Sequence, residues 1–271
     1  MQGTWVGEGE PVVLLHGQPG SGEDWALVRA HLSGLRVLAP TRPGYDGTPA
    51  RDFAGNARAL VQLLDESGVE RAVVAGHSWG GGVALQLALD APVRVAALCL
   101  LGSVGSATAL TRADRLMAAP GVRHASAAFM QRAGSRMARV LASSAGSRLD
   151  DARHTALRVT LRDWSRGRAW QAYADEQAFF VRDAAELAGR LLQVHVPAVV
   201  VVGLRDRTVP AADGRALAGQ LPDAVVQELD CGHLMPLEAP EGVAAAVRLA
   251  VSRAGRVQRA GPRADRPEPG R

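Results

Sequence analysis

Residues 76–80 read Gly76-His77-Ser78-Trp79-Gly80, a G-x-S-x-G pattern that Gly81 and Gly82 prolong. A short apolar run at 71–75 (RAVVA) precedes it and a helical pattern over 79–90 follows. A serine on so tight a strand-to-helix turn must take strained backbone angles, and side chains two residues to either side would clash. Gly76 and Gly80 remove those side chains, and Gly81 and Gly82 let the new helix close on the sheet. Such a turn lifts the Ser78 hydroxyl to the carboxyl edge of a parallel sheet, where open α/β sheets bind ligands. The helix N-terminus beneath it favours negative charge.

Outward from this turn, strand and helix patterns alternate with short connections. Strands are expected at 12–16 (VVLLH), 35–39, 71–75 and 93–101, and helices at 23–33, 53–68 and 79–90. The alternation stops after Gly102; residues 105–190 carry helical spacing and no convincing strand. It resumes with strands at 198–202 (AVVVV) and 225–229 and helices at 211–220 and 236–252. This is the pattern of a mostly parallel sheet covered on both faces. The expected domains are therefore an α/β core of 1–104 and 191–252, a helical cap of 105–190, and a disordered basic tail of 253–271 rich in Arg, Pro and Gly.

Composition narrows the function classes. The 271 residues are 47% apolar, enough for one α/β domain with an insert. All 31 basic side chains are arginine, which excludes Schiff-base lysine chemistry, pyridoxal-phosphate attachment and a Walker lysine. The net charge of +4 divides into +6 for the insert (14 Arg, 8 acids), +4 for the tail (6 Arg, 2 acids) and −6 for the remainder. No nucleic-acid-binding motif accompanies the basic segments, so no nucleic-acid partner is expected. No apolar run is long enough to span a bilayer and no export signal follows Met1, so no membrane association and a cytoplasmic location are expected. Cys99 and Cys231 read as free thiols of a reducing compartment, with neither a disulfide framework nor a zinc site. No cofactor and no metal are expected.

A serine hydroxyl needs a base, and His233, in Cys231-Gly232-His233 between the last expected strand and helix, can supply one. The imidazole needs a carboxylate to fix its tautomer. Asp206 follows the AVVVV strand in Gly203-Leu204-Arg205-Asp206-Arg207, although a turn aspartate paired with Arg205 or Arg207 is the competing reading. Asp230 stands too near His233 along the chain, and the end of strand 93–101 offers Gly102 and Ser103 rather than an acid. An oxyanion would need two N–H donors. The backbone amides of Trp79 and of Gln18, in the His16-Gly17-Gln18-Pro19-Gly20 loop, are the candidates.

Together the stretches HGQPGSGEDW, PTRPGYDGT, GHSWGG, GLRDRTVP and CGHLMPLEAP resemble the α/β-hydrolase superfamily over roughly residues 5 to 252. The resemblance implies the α/β-hydrolase fold, a Ser-Asp-His catalytic triad of Ser78, Asp206 and His233, and a cap inserted after the sixth standard strand. Two departures stand out. Only about ten residues precede Val12, so an edge strand of the usual antiparallel pair is expected to be missing or to lie upstream. Thr41 and Asp46 also stand where the family often has Asp and Gly.

Six of the eleven aromatic residues fall in the insert, with Met117, Met130 and Met137. Phe129, Trp164, Trp170 and Phe179 are the candidate walls of an apolar acyl or aromatic substrate pocket. A small core holding the cap helices together is the competing reading of the same residues. The leading activity is hydrolysis of a carboxylic ester, thioester or lactone on a small-molecule substrate. The alternatives on the same triad are C–C bond hydrolysis, cofactor-free haloperoxidase or perhydrolase chemistry, and proline iminopeptidase activity, the last because GHSWGG is similar to that elbow. Epoxide hydrolases and haloalkane dehalogenases place a carboxylate at the position of Ser78. A ligand receptor on the same fold is the non-enzyme alternative.

Overall fold

The structure, a computed structural model, describes residues 1–105, 110–145, 150–165 and 169–260, the side chains of 113, 133–145 and 257–260 excepted. Seven strands form one sheet: β1 (Trp5–Val6), β2 (Glu10–Leu15), β3 (Leu35–Leu38), β4 (Ala72–His77), β5 (Val95–Leu101), β6 (Ala198–Gly203) and β7 (Ala224–Leu229). Their order is β1-β3-β2-β4-β5-β6-β7, and every pairing is parallel except β1 with β3. β2, β4, β5 and β6 are central and buried on both faces, which is why they read as continuous apolar runs rather than alternating ones. The antiparallel edge is short: Trp5 pairs with Leu38 and Val6 with Val37, and Gln2 adds an isolated bridge to Thr41. Of the antiparallel pair the family usually has, these residues supply one two-residue strand.

Ten α-helices are described. They are α1 (Ala26–Arg29), α2 (Phe53–Glu66), α3 (Trp79–Asp90), α4 (Arg112–Ala118), α5 (Pro120–Ala145), α6 (Asp151–Trp164), α7 (Ala169–Gly189), α8 (Ala211–Gln220), α9 (Met235–Glu238) and α10 (Pro240–Ala260). α2, α3 and α8 cover one face of the sheet, where Phe53, Leu60, Trp79, Val83 and Leu217 join Val13, Val74, Leu98 and Val200. On the other face α1 and α10 set Val28, Val243, Val247 and Ala250 against Val12, Val73, Cys99 and Val201. Nothing polar separates either layer from the sheet at these positions, and each buried Val or Leu contributes about 1.5–3 kcal/mol.

Most expected ends shift by one or two residues, the strand expected from 93 starting at Val95 after a 3₁₀ turn, and three expected segments change in kind. The helix expected at 23–33 divides into a 3₁₀ turn, Gly22–Trp25, and the four-residue α1, because a Ser21–Asp24 capping box tightens its start. The helix expected at 236–252 is two, since Pro240 has no N–H to continue α9 and instead opens α10. α10 also runs to Ala260, so the segment read as a disordered tail from 253 is helical over its first eight residues. Ala254 continues the buried stripe of Val247 and Ala250, and Arg253 pairs with Asp223 at the start of β7. The rest of that tail, 261–271, lies outside the described residues.

The insert after β5 contains α4 to α7 and, among its described residues, no strand. α4 and α5 pack chiefly on α7 and α6. α6 and α7 in turn tie the insert to the loops after β2 and β3. Asp163 accepts from Ser21 Oγ (2.9 Å), Asp24 accepts from Thr160 Oγ1 (2.8 Å), and Gln18 donates to Gln177 (3.2 Å). Among the described residues no helix is long and apolar enough to cross a membrane.

Candidate active site

The β4–α3 turn forces Ser78 to φ 52° and ψ −118°, the one positive-φ residue other than glycine among those described. The local sequence permits this strain. A Cβ on Gly80 would lie 2.5 Å from the Leu15 carbonyl oxygen, and one on Gly76 would run into the backbone of Gly80 and Gly81. A Cβ on Gly81 would collide with Ser103 Oγ, and one on Gly82 would sit 2.6 Å from the Phe53 ring. Ser78 occupies the N-cap position of α3 without spending its hydroxyl on a cap bond.

That hydroxyl lies 3.1 Å from His233 Nε2, and His233 Nδ1 donates to Asp206 Oδ2 at 2.8 Å. Residues 128 and 27 positions apart along the chain are thus joined in one hydrogen-bonded series at the carboxyl ends of β4, β6 and β7. Asp206 Oδ1 accepts from the amides of Thr208 (2.8 Å) and Val209 (2.9 Å), which fixes the carboxylate. Burial pushes the Asp206 pKa up, but the hydrogen bond and charge of His233 and the two amides outweigh it and hold the acid below its ordinary value. Asp206 is not spent on a neighbouring arginine: Arg205 reaches Asp230 instead, 3.3 Å away on the exposed side. Gly102 (φ 46°) leaves room here, since a Cβ would come 3.0 Å from Asp206 Oδ2.

His77, between the elbow glycine and the serine, is part of the frame. Its Nε2–H donates to the His233 carbonyl at 2.8 Å. Burial, then the neighbouring His233, lower its pKa to about 3, so it stays neutral beside the His233 ring. Glu238 accepts from the amides of Gly232 (2.7 Å) and Leu234 (3.1 Å) and pins both sides of the His233 loop.

Of the two candidate oxyanion donors, Trp79 is the first residue of α3, so its N–H has no carbonyl a turn earlier in the helix to bond. The Gln18 loop abuts the serine: a Cβ on Gly17 would lie 3.2 Å from Ser78 Cβ. Beneath this loop lies a cluster that sequence reasoning missed. Arg42, fully buried, donates through Nε to the His16 carbonyl (3.0 Å) and through Nη2 to the Gly17 carbonyl (2.8 Å). Its guanidinium stands 4.5 Å over the Trp79 ring and meets Glu176 of α7 at 2.5 Å, while Tyr45 donates to the other Glu176 oxygen at 2.8 Å. Burial raises the Glu176 carboxyl pKa above its usual value, while the charge of Arg42 and the hydrogen bonds from Arg42 and Tyr45 oppose the rise. His16 Nε2 accepts from the Arg42 amide, and burial followed by the Arg42 charge drives its pKa well down.

The four expected pocket aromatics are not gathered into one wall. Trp164 and Trp170 meet edge to face at 6.2 Å in a cap cluster with Ala127, Met130, Tyr173 and Ala174. Phe129 is 64% exposed, and Phe179 lies under Arg182 at 5.2 Å. The α5–α7 interface needs large apolar residues just as a pocket does, so the concentration of aromatics in the insert does not separate the two. A cavity of about 800 Å³ does open between the loop after β3 and the cap, lined in part by Thr41, Tyr45, Thr48, Arg162, Asp163 and Asp175. Its lining mixes these polar side chains with Gly44, Pro49, Ala50, Ala169 and Ala172, so it is polar and apolar in about equal measure. Among the described residues no group of three or more His, Cys, Asp or Glu could hold a metal ion.

A hydrogen-bonded serine, imidazole and carboxylate, on a strained turn at the carboxyl edge of a seven-stranded sheet under a helical cap, define the hydrolase class of α/β protein. The chain belongs to the alpha/beta hydrolase family, whose sequence profile matches residues 12–246. It is 32% identical over 256 residues to the magnesium-chelatase 30 kDa subunit of Rhodobacter capsulatus, covering 89% of this chain and 86% of that one. It is 33% identical over 249 residues to the pimeloyl-[acyl-carrier protein] methyl ester esterase of Aromatoleum aromaticum, covering 86% and 94%. A crystal structure of a hydrolase from Pseudomonas aeruginosa PA01 superposes with a TM-score of 0.75 at 23% identity, over 92% of this chain and 93% of that one, and shares the fold.

Proposed function

We propose that the protein is a serine hydrolase that cleaves a carboxylic ester, thioester or lactone through an acyl-enzyme on Ser78. The observation that carries this reading is the continuous series from Ser78 Oγ through the His233 ring to Asp206 Oδ2. His233 Nε2 takes the hydroxyl proton as Ser78 attacks the carbonyl carbon, and Asp206 holds the imidazole in the tautomer whose Nε2 is free. The imidazolium then protonates the leaving alcohol or thiol. Water, deprotonated by the same nitrogen, releases the acid and returns the proton to Ser78. The amides of Trp79 and Gln18 receive the oxyanion in both tetrahedral intermediates, and the N-terminus of α3 adds favourable potential. The reaction needs no cofactor or metal in this scheme. The esterase name of the Aromatoleum relative supports the ester reading. The buried, unpaired Cys99 and Cys231 suit a reducing compartment, the cytoplasm.

The test is a series of p-nitrophenyl esters graded by acyl length, run beside a fluorophosphonate probe, with Ser78→Ala as control. Turnover of at least one ester and labelling of wild type but not of Ser78→Ala are expected. One further reading has an observation behind it. The R. capsulatus relative is named as a subunit of a larger enzyme, which favours a ligand- or partner-binding role on the same fold. A folded wild-type protein that takes no fluorophosphonate at Ser78 would support that role and exclude the hydrolase.

A further inference from the structure

We infer that Glu176, a cap residue held by Arg42 and Tyr45, is a positioning residue that sets the oxyanion loop through Arg42. The inference rests on the hydrolase reading and deepens it. Glu176 and Arg42 are both fully buried, so neither can exchange its partner for water. Arg42 spends its remaining donors on the carbonyls of His16 and Gly17, the two residues that lead into Gln18. The same guanidinium covers the indole of Trp79, the residue bearing the second proposed oxyanion donor. One cation therefore touches the supports of both donors, and its charge is balanced from α7, across the seam between cap and core. Gln177, next on α7, adds a second tie by accepting from the Gln18 side chain at 3.2 Å. Tyr45 fixes the Glu176 oxygen that Arg42 holds less closely. A buried guanidinium left without its carboxylate would turn to other acceptors, dragging the carbonyls it holds. A displacement of even 1 Å in a group that must meet an oxyanion is enough to cost about a hundredfold in rate.

The experiment compares Glu176→Gln with wild type. The variant keeps the shape of the side chain and loses its charge. Three readouts are taken: kcat and KM for p-nitrophenyl butyrate, the rate constant for fluorophosphonate labelling of Ser78, and the affinity for a boronic acid that forms a tetrahedral anion on the serine. The expected result is a 10- to 100-fold fall in kcat with KM within about threefold. The labelling rate and boronate affinity should fall in parallel. Tyr45→Phe, which removes a single hydrogen bond to Glu176, should give the same split at about two- to fivefold. It serves as the deciding variant if Glu176→Gln fails to fold. A folded variant with unchanged kcat, labelling and boronate affinity overturns the inference. A rise in KM alone also overturns it, because Glu176 would then act on bound substrate. Wild-type protein that neither labels nor turns over removes the hydrolase reading itself, and this inference with it; activity in wild type keeps the two failures distinct.

Discussion

Replacing Asp24 by asparagine should stabilise the protein at alkaline pH and leave it unchanged in acid. Asp24 lies at the seam between core and cap, accepting from Thr160 Oγ1 at 2.8 Å and from the Ser21 amide at 3.1 Å. Burial raises its pKa from 3.8 to about 6; Asp163 and Glu23 add to the rise, and the Thr160 and Ser21 hydrogen bonds restrain it. The folded state therefore binds this proton more tightly than the unfolded chain. Its stabilising effect is complete below pH 3.8, declines as pH climbs through that window, and is gone above about 6. At about 1.4 kcal/mol per pKa unit, the decline from acid to alkaline pH amounts to about 3 kcal/mol. Asparagine is neutral throughout and can keep both contacts, its oxygen facing the Ser21 amide and its NH2 facing the Thr160 hydroxyl. For a chain of this size 1 kcal/mol moves Tm by about 2–4 °C. The Tm of Asp24→Asn should thus equal that of wild type near pH 3.5 and exceed it by about 6–12 °C at pH 8. Thermal melts followed by circular dichroism across that range measure the difference. A gap that stays constant with pH, or a variant less stable than wild type at pH 8, refutes the assignment of a proton-holding Asp24.

Three further outcomes follow from the geometry. Asp206→Asn should fold, because its oxygen can still accept from Thr208 and Val209, yet its NH2 would face His233 Nδ1 and select the wrong tautomer; kcat on p-nitrophenyl butyrate should fall about 10³- to 10⁴-fold. Gly81→Ala drives a methyl group into Ser103 Oγ and should cost about 1–3 kcal/mol in thermal or urea unfolding, and Ser103→Gly in the same chain should recover most of the loss. Burial pushes the Cys99 thiol to about 12 and the Cys231 thiol to about 11, so Ellman's reagent should find no reactive thiol in native protein and two after denaturation in guanidinium.

The elbow was legible in the sequence because sterics leave little choice there. Gly76 and Gly80 have no tolerable substitute at their backbone contacts, and the order serine, aspartate, histidine follows from strand ends that alternation alone locates. Asp206 could be chosen over Asp230 because Asp230 lies too near His233 along the chain; in the structure Asp230 turns outward to Arg205. The cap was not legible in the same way. Trp164 and Trp170 look alike whether they wall a cavity or glue two helices, and only the facing of α5 against α7 decides between them. Arg42 and Glu176 are 134 positions apart, and no local pattern marks an arginine destined to be buried. Glu238 had a faint signal: an acid within the PLEAP turn directly after the histidine. The end of α10 was missed because Gly255 and the arginines around it outweighed the stripe that Ala254 continues.

The way the cap is fastened has a consequence for altering the protein. Its ties to the body run through α6 and α7, whereas α4 and α5 rest chiefly on those two helices. Mutagenesis libraries confined to α4 and α5 can therefore remodel the roof without loosening the beams that carry it. On the proposed ester reading, selection for new acyl preferences would then begin from variants whose Ser78, Asp206 and His233 geometry is untouched.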